Sequence, residues 1–363
     1  MQKTKAQAQI LLPTSDLTKE MEFFQNLGFR LNQIFPADDP QVAVLSGHGL
    51  HIRIDRNAKV PAGNIRLLTD HPADFSTNTN HLVAPNGTQL FLEPLTYKLA
   101  NPKTQHKFET RRLQGGEPWV IGRAGMMYRD LIPDRLGGSI IASHIRIPNG
   151  GPVPDMVHYH TIGFQLIYCY RGWVKLVYED QGPPFILRAG DCVTQPPEIR
   201  HRVLESSDNL EVIEIGVPSE HMTTIDHSLT LPTKTINKDR IYHGQKFCHH
   251  QLKDAVWQPW RIKGFEARNT GINAATFGLA DVKVVRPKTK EQFSKWTSHT
   301  TDILFTFILE GQVTITAEAE ESHSLKAGDA FVMPPERKSR MSEFSTDLEF
   351  LEISLPGDFE TVV

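Results

Sequence analysis

At 363 residues the chain is too long for one compact core and suits two or three domains. An apolar fraction of 39% with 22% charged residues belongs to an ordinary globular protein. A net charge of -3 and a pI near 6.6 give no electrostatic reason to expect a nucleic-acid or anionic-membrane partner, although a local basic pocket could still take a small acid.

The start, MQKTKAQAQILLPTSD, carries two lysines but lacks the apolar core and small-residue cleavage site of a secretory leader. No stretch approaches the ~18 apolar residues of a spanning helix, so no membrane partner is expected. A short strand, Gln9 to Leu12, comes first. Asp16 then caps a helix in which Leu17, Met21, Phe24 and Leu27 recur at helical spacing, with Glu20 in its early turns and Gly28 stopping it. Strands follow as FRLNQIF, VAVLSG, LHIRID and NIRLLTD. After an irregular stretch around residues 76–80, NGTQLFLEPL gives an Asn-Gly turn and a last strand.

This β-α-β-β-β order, with "FFQNLGF" closing the helix and "NGTQLFLEP" closing the segment, resembles one module of the vicinal-oxygen-chelate (glyoxalase/bleomycin-resistance) superfamily. That resemblance implies a small α+β module over residues 1–98. It also implies a metal site built from paired modules, with a His or Gln on the first strand and a Glu on the last. Glu93 matches the last position; Ile10, Leu11 and Leu12 supply no ligand on the first strand, and no second module is visible. His48, His51 and His81 are the available substitutes, against a structural or dimerising role for the segment.

From a polar linker (101–116) onward the strands are short and divided by Gly/Pro turns: SIIASHIRI, GFQLIYCYRG, WVKLVYED, PFILRAGD, CVTQPP, HRVLES and LEVIEIGV. That punctuation reads as an all-β sandwich or barrel. The remainder repeats it. "EPWVIGRAG" returns as "QPWRIKGFE", "ASHIRIPNG" as "LADVKVVRP", "HTIGFQLIYCYRGWVKL" as "HTTDILFTFILEGQVTI", and "LRAGDCVTQPP" as "LKAGDAFVMPP". His160 aligns with His299, Gly172 with Gly311, Gly190 with Gly328 and Pro197 with Pro335. Four blocks returning in the same order, each about 140 residues on, are the mark of a duplicated domain, with boundaries at residues 99–230 and 231–363. The three cysteines, Cys169, Cys192 and Cys248, are odd in number and widely spaced. They fit neither a disulfide framework nor a thiolate zinc site, and point to a reducing cytoplasm.

In each repeat a strand reaches a Gly (Gly172, Gly311), and a later one leads to a Gly-Asp turn and a Pro pair. "HYHTIGFQLIYCYRG" followed by "GDCVTQPPEIRH" resembles the two cupin motifs, an HxH with Glu and Gly, then Gly, Pro and His. The resemblance implies tandem cupin (double-stranded β-helix, jelly-roll) barrels in a mainly β protein. It places His158, His160, Gln165 and His201 on the four ligand positions, with Gln165 departing from the usual Glu. The local physics agrees. His158 and His160 stand two apart on an extended stretch, so both imidazoles face one side, and a loop at Gly163 resets the parity for Gln165. Three neutral imidazoles leave a divalent ion dipositive with open positions. An amide is a weaker donor than a carboxylate; Gln165 either binds loosely or hydrogen-bonds a substrate or bound dioxygen. In the second copy Thr297, His299, Leu304 and Ser339 occupy the four positions, so that barrel cannot hold a metal in the same way.

Around this set, His144 is a candidate to support a ligand from behind, and Asp155 and Tyr159, beside the HxH, are candidates to orient a ligand imidazole. Phe164, Tyr168, Tyr170, Tyr178 and Phe185 are candidates to line the barrel interior. Arg146, Arg171, Arg200 and Arg202 offer charge for an acidic substrate; the last two flank His201 at period 2 and so point away from its face.

The leading reading is a mononuclear non-haem Fe(II) dioxygenase acting on a small organic acid, ketone or phenol, since three-histidine sites of this kind are similar to those of cupin dioxygenases. The alternatives are a Mn-, Ni- or Zn-dependent isomerase or lyase of a sugar or keto acid, and a non-enzymatic small-molecule-binding cupin. No GxGxxG or GxxxxGK[ST] occurs, so no nucleotide cofactor is expected. Family habit and edge-strand pairing imply a homo-oligomer, most simply a dimer.

Overall fold

The computed structural model describes residues 6–115, 119–289 and 295–363. The lysines of the N-terminal start and Gly116, Glu117 and Pro118, at the linker end and the head of the first repeat block, lie outside the described residues. Two compact units emerge, residues 1–98 and 99–363.

In the first unit the helix spans Leu17–Asn26, and Asp16 accepts a hydrogen bond from the Lys19 amide, the N-cap the sequence predicts. Gly28 follows at φ +86°, a conformation a side chain would strain. Leu17, Phe24 and Leu27 bury one helix face against Leu12, Leu45, Ile52 and Ile54. The strand Ile10–Pro13 runs parallel to Leu50–Asp55, which pairs with Val42–Gly47, which pairs with Arg30–Phe35 at the edge. A separate three-stranded sheet holds Asn64–Leu68, Gln89–Glu93 and a strand the sequence does not announce, His81–Val83. Glu20 is fully buried under this unit and accepts the Asn86 amide at 2.9 Å.

The second unit contains two barrels. In the first, a sheet ordered His249–His250, Cys192–Thr194, Phe164–Arg171, Leu210–Val217, Ile141–Ile147, Met127–Asp130 and Val120–Ile121 faces a second sheet. The latter runs Phe185–Arg188, Trp173–Tyr178, His201–Ser206, His158–Thr161, Met222–Ile225. The second barrel repeats the plan with Phe265–Asn269, Asp281–Pro287, Glu349–Leu355, Ile303–Glu310 and Ala330–Met333 on one side and Ser322–Lys326, Gln312–Ala317 and Ser339–Ser342 on the other.

Each barrel borrows a strand from the chain leading into its twin. Glu109–Arg111, ahead of the first barrel, pairs with Ala330–Met333 of the second, while His249–His250, ahead of the second, pairs with Cys192–Thr194 of the first. The large sheets pack back to back through Phe164, Leu166, Tyr168 and Ile213 on one side and Phe305, Phe307, Leu351 and Ile353 on the other. Two buried arginines at equivalent places in the repeats cross this boundary: Arg129 donates to the Gly328 carbonyl at 2.7 Å, and Arg268 to the Tyr168 hydroxyl at 3.2 Å.

The barrels differ inside. Trp260, Phe265, Phe331, Phe344 and Phe350 fill the second, leaving a residual cavity of about 30 Å³. In the first, aliphatic side chains line a cavity of about 640 Å³.

Candidate metal centre

The strand His158–Thr161 buries His158 and His160 while Tyr159 and Thr161 lie half-exposed, as a period of two requires. His158 pairs directly with His201 across the sheet. The three rings stand together, with centroids 4.2 Å apart for His158–His201, 5.2 Å for His158–His160 and 5.3 Å for His160–His201. Each offers a ring nitrogen within 4.8 Å of the other two, and the three are buried.

Hydrogen bonds fix how the rings present themselves. His158 Nδ1 meets the Met156 carbonyl at 2.7 Å and His201 Nδ1 the Ile199 carbonyl at 2.9 Å, so both carry their proton on Nδ1. His160 Nδ1 meets Thr223 Oγ1 at 2.9 Å. Nε2 is thereby left as the lone-pair nitrogen of His158 and His201, and that of His158 is buried with no partner. Burial first, and then the neighbouring rings, hold His160 and His201 well below the usual histidine range. Burial and the Arg123 charge lower His158. These are neutral imidazoles.

Gln165 sits on the strand Phe164–Arg171, on the face it shares with the cavity-lining Ile167. Its Nε2 donates to Glu214 Oε1 at 2.5 Å, and its Oε1 is buried without a partner. The buried lone-pair nitrogen of His158 and the two further neutral imidazoles form a donor set that fits a divalent cation. Among the described residues no other trio of His, Cys, Asp or Glu is brought together in this way.

The remaining candidates are distributed differently. Asp155 lies behind His158, 3.6 Å from its Nδ1, but its carboxylate is held mainly by Arg123 and the Val203 amide. Tyr178 stacks on His201 at 5.5 Å, and its hydroxyl accepts from Gln195. Phe185 stacks on His249 and contacts Tyr178.

Tyr168 and His144 do not reach the cavity. Both face the other barrel, because the alternate residues of their strands, Ile167 on one and Ser143 and Ile145 on the other, are the cavity-lining ones. His144 donates to Glu211, accepts from Arg129, and meets Tyr170 and Phe307 edge-on. Phe164 and Tyr170 belong to the same boundary. Tyr159 lies outside under the Arg200 guanidinium, which also binds Asp226. Arg202 does not line the cavity, and neither do Arg146, bound to Asn209, or Arg171, set over Tyr170.

In the first unit Glu93 pairs with Arg66, His48 with the Leu27 carbonyl, His51 with Gln7 and His81 with Gln89.

Three groups on the cavity wall went unannounced. Glu214 is half-buried, and desolvation raises its carboxyl above the usual range. His221 packs its ring on His160 at 5.5 Å, and Thr223 holds the His160 ring. A faint signal exists for Glu214: "LEVIE" recurs as "LEFLE", aligning it with Glu352. No repeat partner marks His221.

The model of the EutQ-like cupin domain matches residues 280–348, within the second barrel. Among solved structures, oxalate decarboxylase of Lactobacillus farciminis is 12% identical, with a TM-score of 0.52 over 72% of this chain and 90% of that one. Salicylate 1,2-dioxygenase of Pseudaminobacter salicylatoxidans is 14% identical, at 0.52 over 73% and 90%. The protein Ylba from E. coli is 11% identical, at 0.51 over 72% and 96%. The fold is a bicupin. A small α+β segment precedes it, and no curated protein matches the chain. No helix among the described residues is long and apolar enough to cross a membrane.

Proposed function

We propose that this bicupin is a metal-dependent enzyme, a non-haem Fe(II) dioxygenase acting on a small organic acid, ketone or phenol. Its centre would be formed by His158, His160 and His201, with Gln165 beside them. One observation carries the reading: three neutral imidazoles, each with its Nδ1 engaged, stand together in the barrel that holds a large, mostly apolar-walled cavity, lined by two of them, while the equivalent barrel is filled with aromatic side chains. Ferrous iron, when bound, supplies the electron transfer by which dioxygen attacks an organic substrate. The chain's part is to hold the ion on uncharged donors, which keeps its full positive charge for an anionic substrate head. Val174, Leu176 and Val212 give the cavity a hydrocarbon wall, against which a bound substrate would displace water from the reacting atoms. A dioxygenation balances without a further reductant, since both oxygen atoms enter the product. Solved proteins of this fold include one named for dioxygenation of salicylate.

The presence of Glu214 on the cavity wall favours a second reading, a Mn-, Ni- or Zn-dependent isomerisation, lyase or decarboxylation in which a carboxyl relays a proton. The structural kinship with an oxalate decarboxylase is compatible with it. For the first unit we keep a glyoxalase-like, dimerising role. Arg30–Phe35 is an edge strand exposed along its length, and Phe35 is 71% exposed, so pairing with a second copy would cover it. A sedimentation mass of one 41.0 kDa chain would exclude that pairing.

The deciding experiment is the metal content of untagged protein beside a His158→Ala/His160→Ala variant, followed by oxygen-uptake assays on anaerobically iron-loaded protein. Near one iron per chain, lost in the variant, with substrate-dependent oxygen uptake is the expected result. Turnover under strict anaerobiosis with another divalent ion would transfer the function to the second reading. Tight metabolite binding with no product would leave a binding protein.

A further inference from the structure

The cavity of the first barrel has two kinds of wall. Of its polar groups, which also include Tyr128, Ser143 and Asp130, four are linked by contacts to the histidines or to Gln165. Thr223 and His221 touch His160, Gln195 reaches His201 through Tyr178, and Glu214 holds Gln165. Most of the remaining wall is aliphatic, including Ile145, Ile147, Ile167, Val174, Leu176 and Val212. The cavity's two arginines are already neutralised inside the chain, Arg123 by Asp155 and Arg135 by Asp130. No free cation is left among these groups for a second anionic centre on a ligand.

Volume narrows the choice further. At about 30 Å³ per water, a cavity of about 640 Å³ holds on the order of 20 waters. A two-carbon dicarboxylate would displace only a few of them and would set its second carboxylate against hydrocarbon. Over the aliphatic part of the wall a sugar's hydroxyls would find no partner, and an unmet buried hydroxyl is costly. A flat or branched hydrocarbon body the size of a bicyclic aromatic would displace about a third of the water, well beyond what a two-carbon acid displaces, and would match the wall.

Resting on the metal-centre reading above, we infer that the substrate has one chelating head, a carboxylate, enolate or phenolate, at the histidines. Its body is an uncharged alkyl or aryl group about the size of a bicyclic aromatic, lying against Ile145, Ile167, Leu176 and Val212. Small dicarboxylates and sugar phosphates are excluded.

The test is calorimetric titration of metal-free and zinc-loaded protein with 2-naphthoate, oxalate and glucose 6-phosphate. The variants Ile167→Trp and Val212→Phe, which fill the cavity from two different strands, are titrated in parallel, with circular dichroism melts to confirm folding. Naphthoate is expected to bind the zinc form at least tenfold tighter than either polar probe, with a negative heat-capacity change. It is expected to bind the metal-free form more weakly. At least one folded variant should lose tenfold in naphthoate affinity while its zinc affinity stays unchanged. Tighter binding of oxalate or glucose 6-phosphate than of naphthoate overturns the inference, as does a zinc-loaded protein that ignores naphthoate. Naphthoate binding that both fillings leave intact overturns it too, by putting the probe elsewhere. If naphthoate binds and is displaced by the fillings but zinc never binds, the apolar pocket stands and the metal reading falls.

Discussion

The Gln165 side chain donates through Nε2 to Glu214 Oε1 at 2.5 Å, which fixes which end of the amide is free: a buried Oε1 with no protein partner. Without Glu214 the amide could rotate, and a donor that must be oriented on binding binds less well. Glu214→Leu is therefore expected to weaken metal binding about 10- to 100-fold, read by Co(II) titration in the visible spectrum. An unchanged affinity and spectrum would show that Gln165 has no part in holding the ion.

Thr223 stands to His160 as the backbone carbonyls stand to the other two rings. It is the one support of the three that a point mutation can remove. Thr223→Val should lower Co(II) affinity about tenfold with little change in melting temperature, because Thr223 is itself exposed. A variant that binds Co(II) as tightly as the parent would rule out this role for the hydroxyl.

Val212 and Phe350 occupy equivalent places on the strands Leu210–Val217 and Glu349–Leu355. Val212 borders open cavity, whereas Phe350 is packed against Trp260 and Phe265. Phe350→Ala should cost about 3–5 kcal/mol, and Val212→Ala on the order of 1 kcal/mol, since a wall that already faces a void loses fewer contacts. Urea unfolding of the two variants measures the difference, and equal losses would contradict the contrast between the barrels.

Burial raises the Glu20 carboxyl to about 7, only partly offset by the Asn86 amide it accepts. The fold therefore prefers the protonated acid. Its contribution is fully present below the unfolded value near 4.5 and is lost as pH rises through about 7. Glu20→Gln should remove this dependence and stabilise the first unit on the order of 1–2 kcal/mol at pH 8. Thermal melts at pH 5 and pH 8 check it: parent and variant should diverge only at the higher pH.

The histidines were legible because three constraints coincide in a short span: a period of two, a Gly-Asp turn and a repeat that lacks the same residues. The fold was legible through the repeat, whose turns keep glycine where the backbone needs positive φ, as at Gly172 and Gly311 with φ +74° and +70°. What could not be read was which face of a strand looks inward. Leu166, Tyr168 and Tyr170 meet the other barrel, while Ile167 faces the cavity, and both faces are apolar. A strand covered on both sides carries no alternation to separate them, so Tyr168 and His144 looked as near the centre as Tyr178. Glu214 was hidden for the opposite reason. An acid in a strand reads as surface, and it is the Gln165 partner on the neighbouring strand that shows Glu214 turned inward.

The crossed strands also bear on how such a chain can change over time. Glu109–Arg111 completes the sheet of the barrel without the histidine trio, and His249–His250 completes the sheet of the barrel that has it. Cutting the gene between the copies would hand each half the wrong piece of the other. The copy without the trio is thus structurally bound to its sibling: a lesion in the one is felt as a missing seam in the other.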